Sequence, residues 1–461
     1  MLRRIGSALG ALPLPLARKA FSRADAAPAL PANKETYARL AGEAEAMLRR
    51  DVLGVWFPAC IDTRFGGFRA NFSREWKALG NESKFSVFQG RMTWVAGQIA
   101  LRRPDLRPAF LPVAGHGIDY LTNVLWDRRD GGFFWGLAED GKFLPFYTEG
   151  KHLYGMSFVL YGLASAYAAT QDPRALEYAQ KGFRWIEMHA HDDAEGGYFE
   201  WLSRGGKPHR ARPEIRSVEL MPDHSFPVGY KSMNTHMHLI EAFAQLYQVW
   251  RDDLLRRRLI EVLALLRDRV CVAPGAMSPY FTDTWQALPG LDSYGHDVEA
   301  AYLMLEAEEV IGTTDPRTER MAKMLVDHAL SCGWDEIRGG FFQDGPIFGP
   351  PVSKIKEWWV QFEGLNALLL MHERHGCNTD AYFQAFQAQW RFIRRYQTDA
   401  KFGGVHALVG EDGKPRPGPK GFIWKAAYHD GRALLNVVDR LRRLAENSSQ
   451  DRGLAAPAAN D

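Results

Sequence analysis

The chain has 461 residues, of which 46% are hydrophobic and 24% are charged. Its 57 basic and 55 acidic side chains give a formal net charge of +2, which excludes the strongly basic character of a general nucleic-acid-binding protein. No apolar run approaches the roughly 20 residues of a membrane-spanning helix, so we expect no membrane insertion. The four cysteines are far apart, with no spacing typical of a zinc site or of a disulfide framework.

Residues 1–34 differ in composition from the rest of the chain. An arginine pair precedes an apolar stretch and a small-residue region, which is the outline of a twin-arginine signal peptide. Two prolines inside the apolar stretch and a basic pair after it favour a plain N-terminal extension instead. We therefore expect a cytoplasmic protein, with a periplasmic location as the alternative if residues 1–27 act as a signal. Residues 448–461 are predicted to form a flexible polar tail, which leaves one domain over residues 35–447.

A repeated motif organises this domain. Five segments share the pattern Asp-x3-Gly-Gly followed by an aromatic residue or valine, and they recur about every 65 residues, with one gap about twice as long. Glycine accepts the positive φ angles of a tight loop, and aspartate can bind the backbone amides that follow it. The long gap predicts a sixth, diverged copy at residues 268–281. The five segments begin at Asp62, Asp127, Asp192, Asp335 and Asp399.

The segments between the loops are predicted to be helices. Apolar residues recur there at i, i+3, i+4 and i+7, and the interiors lack proline, as in residues 152–169 and 233–251. Six units of two helices each make about twelve helices. An open solenoid would need polar capping units, but the first and last units are as apolar as the middle ones. The pattern therefore predicts an all-α fold, a closed (α/α)6 barrel whose inner helix ends and connecting loops line a central cleft.

Residues that could carry chemistry lie near the starts of these units. Arg91 precedes Trp94 by one helical turn, and an arginine beside a tryptophan on a cleft-facing helix suits a clamp for sugar hydroxyls or a carbonyl oxygen. The alternative is a surface arginine beside a core tryptophan. Asn234 and His238 share one helical face, with His236 pointing elsewhere. The two histidines diverge too far to bind one metal ion.

A second His-x-x-Glu pair follows in the next unit. His296 and Glu299 share a helical face, so we expect the carboxylate to orient the imidazole and raise its basicity. Such pairs also occur in helical-bundle metal sites, and His238 with Glu241 is the matching motif that a metal site would need. The presence of a second His-x-x-Glu pair does not by itself establish a metal site, and we expect none.

Aromatic residues accompany these polar groups. The pair Trp358–Trp359 suits stacking on the apolar face of a pyranose, and Trp424 and His429 open the last long helix. Each aromatic side chain alone could belong to the core. Three histidine-bearing helix starts in different units would, however, converge on one cavity in a closed ring.

Four motifs together resemble the N-acylglucosamine 2-epimerase superfamily, in its cellobiose 2-epimerase branch. They are NTHMHLIEA, YGHDVEAAYL, KEWWVQFEGL and WKAAYHDGR, in the family order, and the resemblance extends from about residue 36 to residue 440. The family also includes mannose isomerases and a sulfoquinovose isomerase. The resemblance implies an (α/α)6 barrel, in agreement with the repeat count.

The resemblance also implies roles for nine residues. His296 and His429 are implied to be the paired acid/base catalysts, with His238 as a third histidine of the catalytic set. Of the tryptophan pair, one is expected to be a second stacking aromatic, with the choice open. The implied substrate-binding residues are Arg91, Asn234, Glu299, Trp358, Trp359 and Trp424. The sequence departs from the family at residues 203–230, which are predicted to form a long loop over the site to which Asp223 or His224 could contribute.

The chemistry is consistent with this set of residues. The carbon next to an aldehyde is a weak acid, so removing its proton needs a base with a pKa near the working pH and stabilisation of the enediolate oxygen. Two imidazoles on opposite faces of a planar cis-enediolate allow epimerisation, and return of the proton to C1 gives aldose–ketose isomerisation. Such proton transfer requires no redox cofactor, and no Gly-x-Gly-x-x-Gly loop follows a strand.

The sequence thus predicts a cofactor-independent sugar 2-epimerase, with an aldose–ketose isomerase as the alternative. A glycoside hydrolase or lyase is a further alternative, since such barrels host both, with Glu299, Glu363 and Asp297 as candidate carboxyl groups. A non-catalytic sugar-binding or protein-interaction ring is the last. The expected partner is a small sugar, a mono- or disaccharide of undetermined identity, and the protein is expected to be a monomer or a homodimer.

Overall fold

The computed structural model describes residues 29–80, 83–144, 150–210 and 227–450. The predicted signal segment and the candidate loop residues Asp223 and His224 lie outside these ranges. Of the predicted loop at 203–230, the described ends hold a turn after a short strand and another turn before the next strand.

In the described part of the chain, twelve long helices alternate between the outside and the inside of the ring, with odd numbers outside and even numbers inside. They are α1 (Lys34–Met47), α2 (Ser86–Arg102), α3 (Arg107–Tyr120), α4 (Leu153–Thr170), α5 (Pro173–His189), α6 (Met233–Val249), α7 (Asp253–Leu265), α8 (Tyr294–Ile311), α9 (Pro316–Cys332), α10 (Trp358–His375), α11 (Ala381–Phe392) and α12 (His429–Gln450). A single helical turn, Gly54–Trp56, precedes the first loop. Helix α12 extends beyond the predicted domain boundary at residue 447.

Within the described ranges, four outer helices continue into a π-helical turn after the last α-helical residue. These turns are Leu48–Leu53, Leu121–Leu125, Leu266–Val270 and Ile393–Gln397. The buried apolar faces of outer and inner helices form one continuous core between the two layers. Burial of this surface is the main contribution that holds the ring together.

The described residues form twelve short strands, ten of which pair between neighbouring units. They are β1 (Ser83–Phe85), β2 (Gly136–Ala138), β3 (Lys151–His152), β4 (Trp201–Leu202), β5 (Lys231–Ser232), β6 (Cys271–Val272), β7 (Ala276–Met277), β8 (Tyr280–Phe281), β9 (Asp292–Ser293), β10 (Asp344–Gly345), β11 (Lys356–Glu357) and β12 (Leu408–Val409). Five antiparallel pairs, β1–β2, β3–β4, β5–β8, β9–β10 and β11–β12, each join a strand before an inner helix to the following unit.

The ring closes between its first and last units. An isolated antiparallel bridge pairs Phe72 with Gly421. The other five contacts between neighbouring units have a two-stranded sheet at this place. On the neighbouring inner helices, Arg102 of α2 pairs with Asp439 of α12 at 2.6 Å. The predicted all-α, closed six-hairpin architecture is therefore confirmed. In the described part of the chain, no helix is long and apolar enough to cross a membrane.

The Gly-Gly loops have the predicted conformation. Both glycines of all five pairs have φ between 65° and 86°, a region that favours glycine. In the first loop, the carboxylate of Asp62 accepts a hydrogen bond from the amide of Arg64 at 3.0 Å, as an Asx turn does. The diverged sixth loop is the hairpin β6–β7, with Gly275 at φ 128°.

A buried lysine beneath each of the five loops was not predicted. Its ammonium group pairs with the loop aspartate, and it joins the loop to the segment that leads into the inner helix. The pairs are Lys84–Asp62 at 2.7 Å, Lys151–Asp127 at 3.0 Å, Lys231–Asp192 at 2.7 Å, Lys356–Asp335 at 2.5 Å and Lys420–Asp399 at 3.0 Å.

Candidate functional site

The inner helices surround a cavity of about 500 Å³ with their first turns. Five of them follow directly on strands that pair with the neighbouring unit, so their starting points are fixed around the ring axis. All nine of the predicted site residues lie on the wall of this one cavity. They are Arg91, Asn234, His238, His296, Glu299, Trp358, Trp359, Trp424 and His429.

Five further lining residues were not predicted. They are Tyr154, Tyr280, Gln343, Glu357 and Phe422. Tyr154 and Glu357 stand at the first turn of α4 and at the residue before α10, so inspection of every inner helix start would have found them. Tyr280 and Gln343 come from the hairpins of the following units, and no local motif marks them.

A carboxylate holds the imidazole of His429. Its Nδ1 lies 2.5 Å from Oε1 of Glu363, and the same oxygen accepts a hydrogen bond from Nη2 of Arg432 at 2.7 Å. Because a carboxylate accepts, Nδ1 carries the hydrogen and Nε2 remains as a proton acceptor. Burial, followed by the charges of Arg91 and Arg432, lowers the pKa of His429 well below its usual range. His429 is therefore set up as a neutral base.

His296 is held differently, by a hydroxyl group. Its Nδ1 lies 2.7 Å from Oγ of Ser293, which can donate or accept, so both neutral tautomers are open to this imidazole. Burial, followed by the charges of His238 and Arg91, lowers its pKa to about 3. The two histidines thus differ in how firmly their tautomer is fixed.

The expectation that Glu299 orients His296 is wrong. The carboxylate of Glu299 binds the guanidinium of Arg432 instead, and it lies 3.9 Å from Nδ1 of His429. Helical spacing alone places the two side chains of α8 on one face. A buried cation one turn deeper then attracts the carboxylate away from the imidazole.

His238 has the partner that its spacing predicts. Nδ1 of His238 lies 2.9 Å from Oε2 of Glu241, and Oε1 of Glu241 accepts hydrogen bonds from Tyr428 and Arg432. Burial opposes ionisation of this carboxyl group, but Arg432 and His238 outweigh it and lower the pKa of Glu241 to about 2. The ionised carboxylate fixes the orientation of His238 at the cavity wall.

His236 points away from the cavity, as predicted. Its Nδ1 lies 2.7 Å from the carbonyl oxygen of Ser232, and its Nε2 accepts from the amide of Tyr198 at 3.1 Å. Both ring nitrogens are used within the protein. This histidine is therefore part of the fold and not of the cavity wall.

Beneath the cavity, Arg432 binds three glutamates from three other inner helices. Its guanidinium contacts Glu241 of α6, Glu299 of α8 and Glu363 of α10, and it lies over the ring of Tyr428 at 4.4 Å. Burial, followed by the charge of Glu363, raises the pKa of Glu299 to about 7, while Arg432 opposes that rise. Sequence reasoning missed Arg432, although it stands within one of the quoted motifs.

The tryptophans have distinct positions in the cavity. The ring centroid of Trp359 lies 4.7 Å from that of His296 and 5.5 Å from that of His429, so this side chain spans both histidines. Trp358 is buried, with its ring 5.8 Å from that of Phe422. Trp359 is thus the member of the pair that contacts both histidines directly.

Arg91 lies between the cavity and an aromatic layer. One terminal nitrogen donates to the carbonyl oxygen of Trp424 at 3.1 Å, and the other donates to the hydroxyl of Tyr154 at 3.2 Å. Its guanidinium carbon lies 4.3 Å from the ring centre of Phe158. The predicted clamp is therefore a guanidinium held in place by its own protein contacts.

The carboxylates here do not suit a metal ion. Glu299, Glu363 and His429 bring ligand atoms within 4.8 Å of one another. The guanidinium of Arg432 already contacts both glutamates and supplies the positive charge that a metal would supply. The residues therefore fit an arginine-centred ion cluster better than a metal site.

Comparison with known proteins is consistent with this arrangement. The model of the N-acylglucosamine 2-epimerase (GlcNAc 2-epimerase) family matches residues 66–429. A cellobiose 2-epimerase of Bacteroides fragilis is 28% identical over 86% of this chain and 98% of its own. A D-mannose isomerase of Marinomonas mediterranea is 22% identical over 84% of this chain and 95% of its own. The structure of a cellobiose 2-epimerase from Spirochaeta thermophila superposes with a TM-score of 0.78 at 27% identity, over 89% of this chain and 98% of that one.

Proposed function

The chain belongs to the N-acylglucosamine 2-epimerase family and is a carbohydrate epimerase or isomerase, and from this premise we propose that it inverts C2 of a reducing-end aldose. A proton leaves C2 to one histidine and returns from the other, through a cis-enediolate. The observation that carries the proposal is that His296 and His429 line one cavity with Trp359 in contact with both rings.

His429 is proposed as the base that removes the C2 proton of the starting sugar. Its Nδ1 hydrogen is directed at Glu363, so the free Nε2 faces outward as acceptor. When the imidazole gains the proton, the nearby carboxylate stabilises the resulting imidazolium. The low pKa of His429 keeps it unprotonated in the free site at neutral pH.

Inversion also requires a proton donor on the other face of the enediolate. We assign this role to His296, so that the histidine pair carries one proton through each turnover and exchanges it between the two rings. In the free site, burial disfavours protonation of His296, whereas the negative charge of an adjacent enediolate favours it. The reverse reaction uses the same two groups with exchanged roles.

The enediolate oxygens need donors at the cavity wall. Arg91, Asn234 and His238 line the cavity, and Oδ1 of Asn234 has no hydrogen-bond partner among the described residues. The guanidinium of Arg91 and Nδ2 of Asn234 can donate to O1 and O2 and so stabilise charge that develops only as the proton leaves C2, whereas Oδ1 of Asn234 accepts from a sugar hydroxyl. Because the Nδ1 hydrogen of His238 is directed at Glu241, its Nε2 also accepts from a sugar hydroxyl. We therefore assign these three residues to the sugar oxygens.

The curated relatives suggest the substrate class to test first. The B. fragilis relative is named a cellobiose 2-epimerase, which favours a β-linked disaccharide with a free reducing end. A cavity of about 500 Å³ suits a small ligand, and Trp358, Trp359 and Trp424 on its wall suit the apolar faces of sugar rings.

Aldose–ketose isomerisation is the second candidate. The similarity to a D-mannose isomerase favours it, because the same enediolate gives a ketose when the proton returns to C1. The two reactions share the first step and differ only in the carbon that receives the proton.

Incubation with glucose, mannose, cellobiose and N-acetylglucosamine in heavy water, followed by NMR, tests the proposal. We expect deuterium at C2 together with the C2 epimer, and deuterium at C1 with a ketose would favour isomerisation. His429→Asn and His296→Asn should abolish turnover. His375→Asn, at the opposite end of α10, is the matched control and should retain it. Full activity of either cavity variant would exclude the paired-histidine mechanism.

A further inference from the structure

One of the six units reverses the charge at a position that the others share. In four units, the residue two positions before the inner helix is a buried lysine paired with the loop aspartate. In the unit of α8, this position is occupied by Asp292. A buried carboxylate thus stands where four homologous positions hold an ammonium group. The four lysines are Lys84, Lys151, Lys231 and Lys356.

The outer helix of this unit also differs in the side chain that it places beside this position. Where α5 places Trp185 over Lys151 at 4.9 Å and α11 places Phe392 over Lys356 at 4.3 Å, α9 places His328 beside Asp292. An imidazole nitrogen therefore faces a carboxylate in this unit, whereas an aromatic ring faces an ammonium group in the other two. The same two positions thus hold a carboxylate and an imidazole in place of an ammonium group and an aromatic ring.

A second buried carboxylate adds to this site. Nδ1 of His328 lies 3.3 Å from Oδ2 of Asp292 and 3.6 Å from Oδ2 of Asp297. All three side chains are at most 5% exposed, and their ligand atoms lie within 4.8 Å of one another. Two carboxylates and one imidazole therefore converge in the core, away from the sugar cavity.

These contacts are not hydrogen bonds. Neither carboxylate oxygen of Asp297, nor Oδ2 of Asp292, nor Nδ1 of His328 has a hydrogen-bond partner among the described residues. Charge-assisted hydrogen bonds have lengths of about 2.7–2.9 Å. The lysine–aspartate pairs of the other units, at 2.5–3.0 Å, lie close to this range. Two ligands of a tetrahedral zinc ion at about 2.0–2.1 Å are roughly 3.3 Å apart, which matches the Asp292–His328 separation.

We propose that Asp292, Asp297 and His328 bind one divalent transition-metal ion of the zinc class. Nδ1 of His328 is the imidazole ligand, because its Nε2 lies 2.8 Å from the carbonyl oxygen of Ile347 and donates to it. Oδ1 of Asp292 accepts from the amide of Met277 at 3.2 Å, which leaves its Oδ2 for the ion. A divalent cation balances both buried carboxylates, whereas a protonated imidazole would balance only one of them.

The site would have a structural role. Asp292 and Asp297 flank the first turn of α8, and His328 belongs to α9, so the ion would join the inner helix to its outer partner. Ser293 and His296 lie between the two carboxylate ligands in sequence. The proposal does not depend on the sugar reaction, and its tests measure metal and stability.

Metal content of the full-length protein tests the proposal. After expression in zinc-supplemented medium and gel filtration without an affinity tag, elemental analysis should find about one zinc ion per chain. His328→Gln and Asp297→Asn should lose it. Asp335→Asn, which removes a buried carboxylate from the neighbouring lysine pair, is the matched control and should retain it. Loss of the ion in His429→Asn instead would place it in the sugar cavity and overturn the proposal.

A measurement on the unmodified protein covers variants that do not fold. Treatment with a chelator followed by equimolar zinc should raise the melting temperature by roughly 2 °C or more, because the ion binds only the folded state. His328→Gln, where it folds, should show no such rise. Absence of bound metal after supplementation, together with an unchanged melting temperature, would show that His328 carries a proton in place of the ion.

Discussion

Oε1 of Glu363 accepts hydrogen bonds from both Nδ1 of His429, at 2.5 Å, and Nη2 of Arg432, at 2.7 Å. One carboxylate oxygen thus joins the proposed base to the buried guanidinium beneath the cavity. The position of His429 and the tautomer that it adopts depend on this shared oxygen. In the proposed mechanism, Glu363 is therefore a positioning residue, since it would act on the substrate through the imidazole.

Replacing Glu363 with glutamine should lower kcat by about 100-fold or more and leave KM within a few fold. The amide is nearly isosteric, but it does not stabilise the imidazolium that forms when His429 takes the C2 proton. Steady-state kinetics on the substrate identified by NMR, with near-ultraviolet circular dichroism to check folding, measure the effect. A variant with wild-type kcat would show that the carboxylate has only a packing role.

Trp359 is expected to contribute through its aromatic face. Its ring lies 4.7 Å from that of His296, and its Nε1 donates to Oε2 of Glu357 at 2.6 Å. An aromatic contact contributes about 0.5–1.5 kcal/mol beyond buried area, so loss of this contact in Trp359→Ala should reduce kcat/KM by about two- to thirteen-fold. Trp359→Phe keeps a ring and should lose less. Equal losses in both variants would assign the effect to the Glu357 hydrogen bond instead.

The loops and the site residues were predictable because their signals are local. Two successive glycines with positive φ have few substitutes, so the Asp-x3-Gly-Gly pattern recurs at a regular spacing. First-turn residues of inner helices stand within short motifs. The lysines beneath the loops have no fixed spacing from their aspartates, because Lys356 comes 21 residues after its aspartate and Lys231 comes 39 residues after its own.

Arg432 shows why other parts were not predictable. Its three carboxylate partners precede it by 191, 133 and 69 residues, so only the closed ring brings them together. The same long-range convergence explains the wrong expectation for Glu299. The local i, i+3 rule assigned that carboxylate to His296, whereas the buried guanidinium, which local spacing does not reveal, attracts it more strongly.

The buried lysine pairs should be costly to break singly. Lys84 and Asp62 are fully buried and lie 2.7 Å apart. Lys84→Met removes the buried ammonium group and leaves the Asp62 carboxylate with only the partly exposed Arg69, at 3.3 Å, so the free energy of unfolding should fall by about 3–5 kcal/mol. The double variant with Asp62→Asn should recover part of this loss.

Urea denaturation of both variants measures these changes, and an exposed pair provides the control. Lys181 and Glu177 lie 2.6 Å apart on the surface of α5, so Lys181→Met should change stability by less than about 1 kcal/mol. A double variant less stable than Lys84→Met alone would mean that Asp62 stabilises its loop mainly through the backbone amides it binds.

His152 should make stability depend on pH. It caps α4 by accepting the amide hydrogen of Tyr154 at Nδ1, at 3.0 Å, so this nitrogen must be unprotonated. Burial lowers its pKa to about 3, whereas the unfolded chain titrates near 6.5. The unfolded state therefore binds the proton first as the pH falls. The stability contributed by the neutral imidazole is complete above pH 6.5 and is lost progressively between pH 6.5 and about 3.

The matched comparison is His152→Asn, because asparagine keeps an acceptor at the helix cap but does not titrate. Other buried groups titrate equally in both proteins, so only the difference between their unfolding free energies carries the His152 signal. From pH 6 to pH 4, the wild type should lose about 1.4 kcal/mol per pH unit relative to the variant. Urea denaturation at each pH gives this difference. A difference that does not change with pH would show that the folded state accepts the protonated imidazole and that the cap reorganises around it.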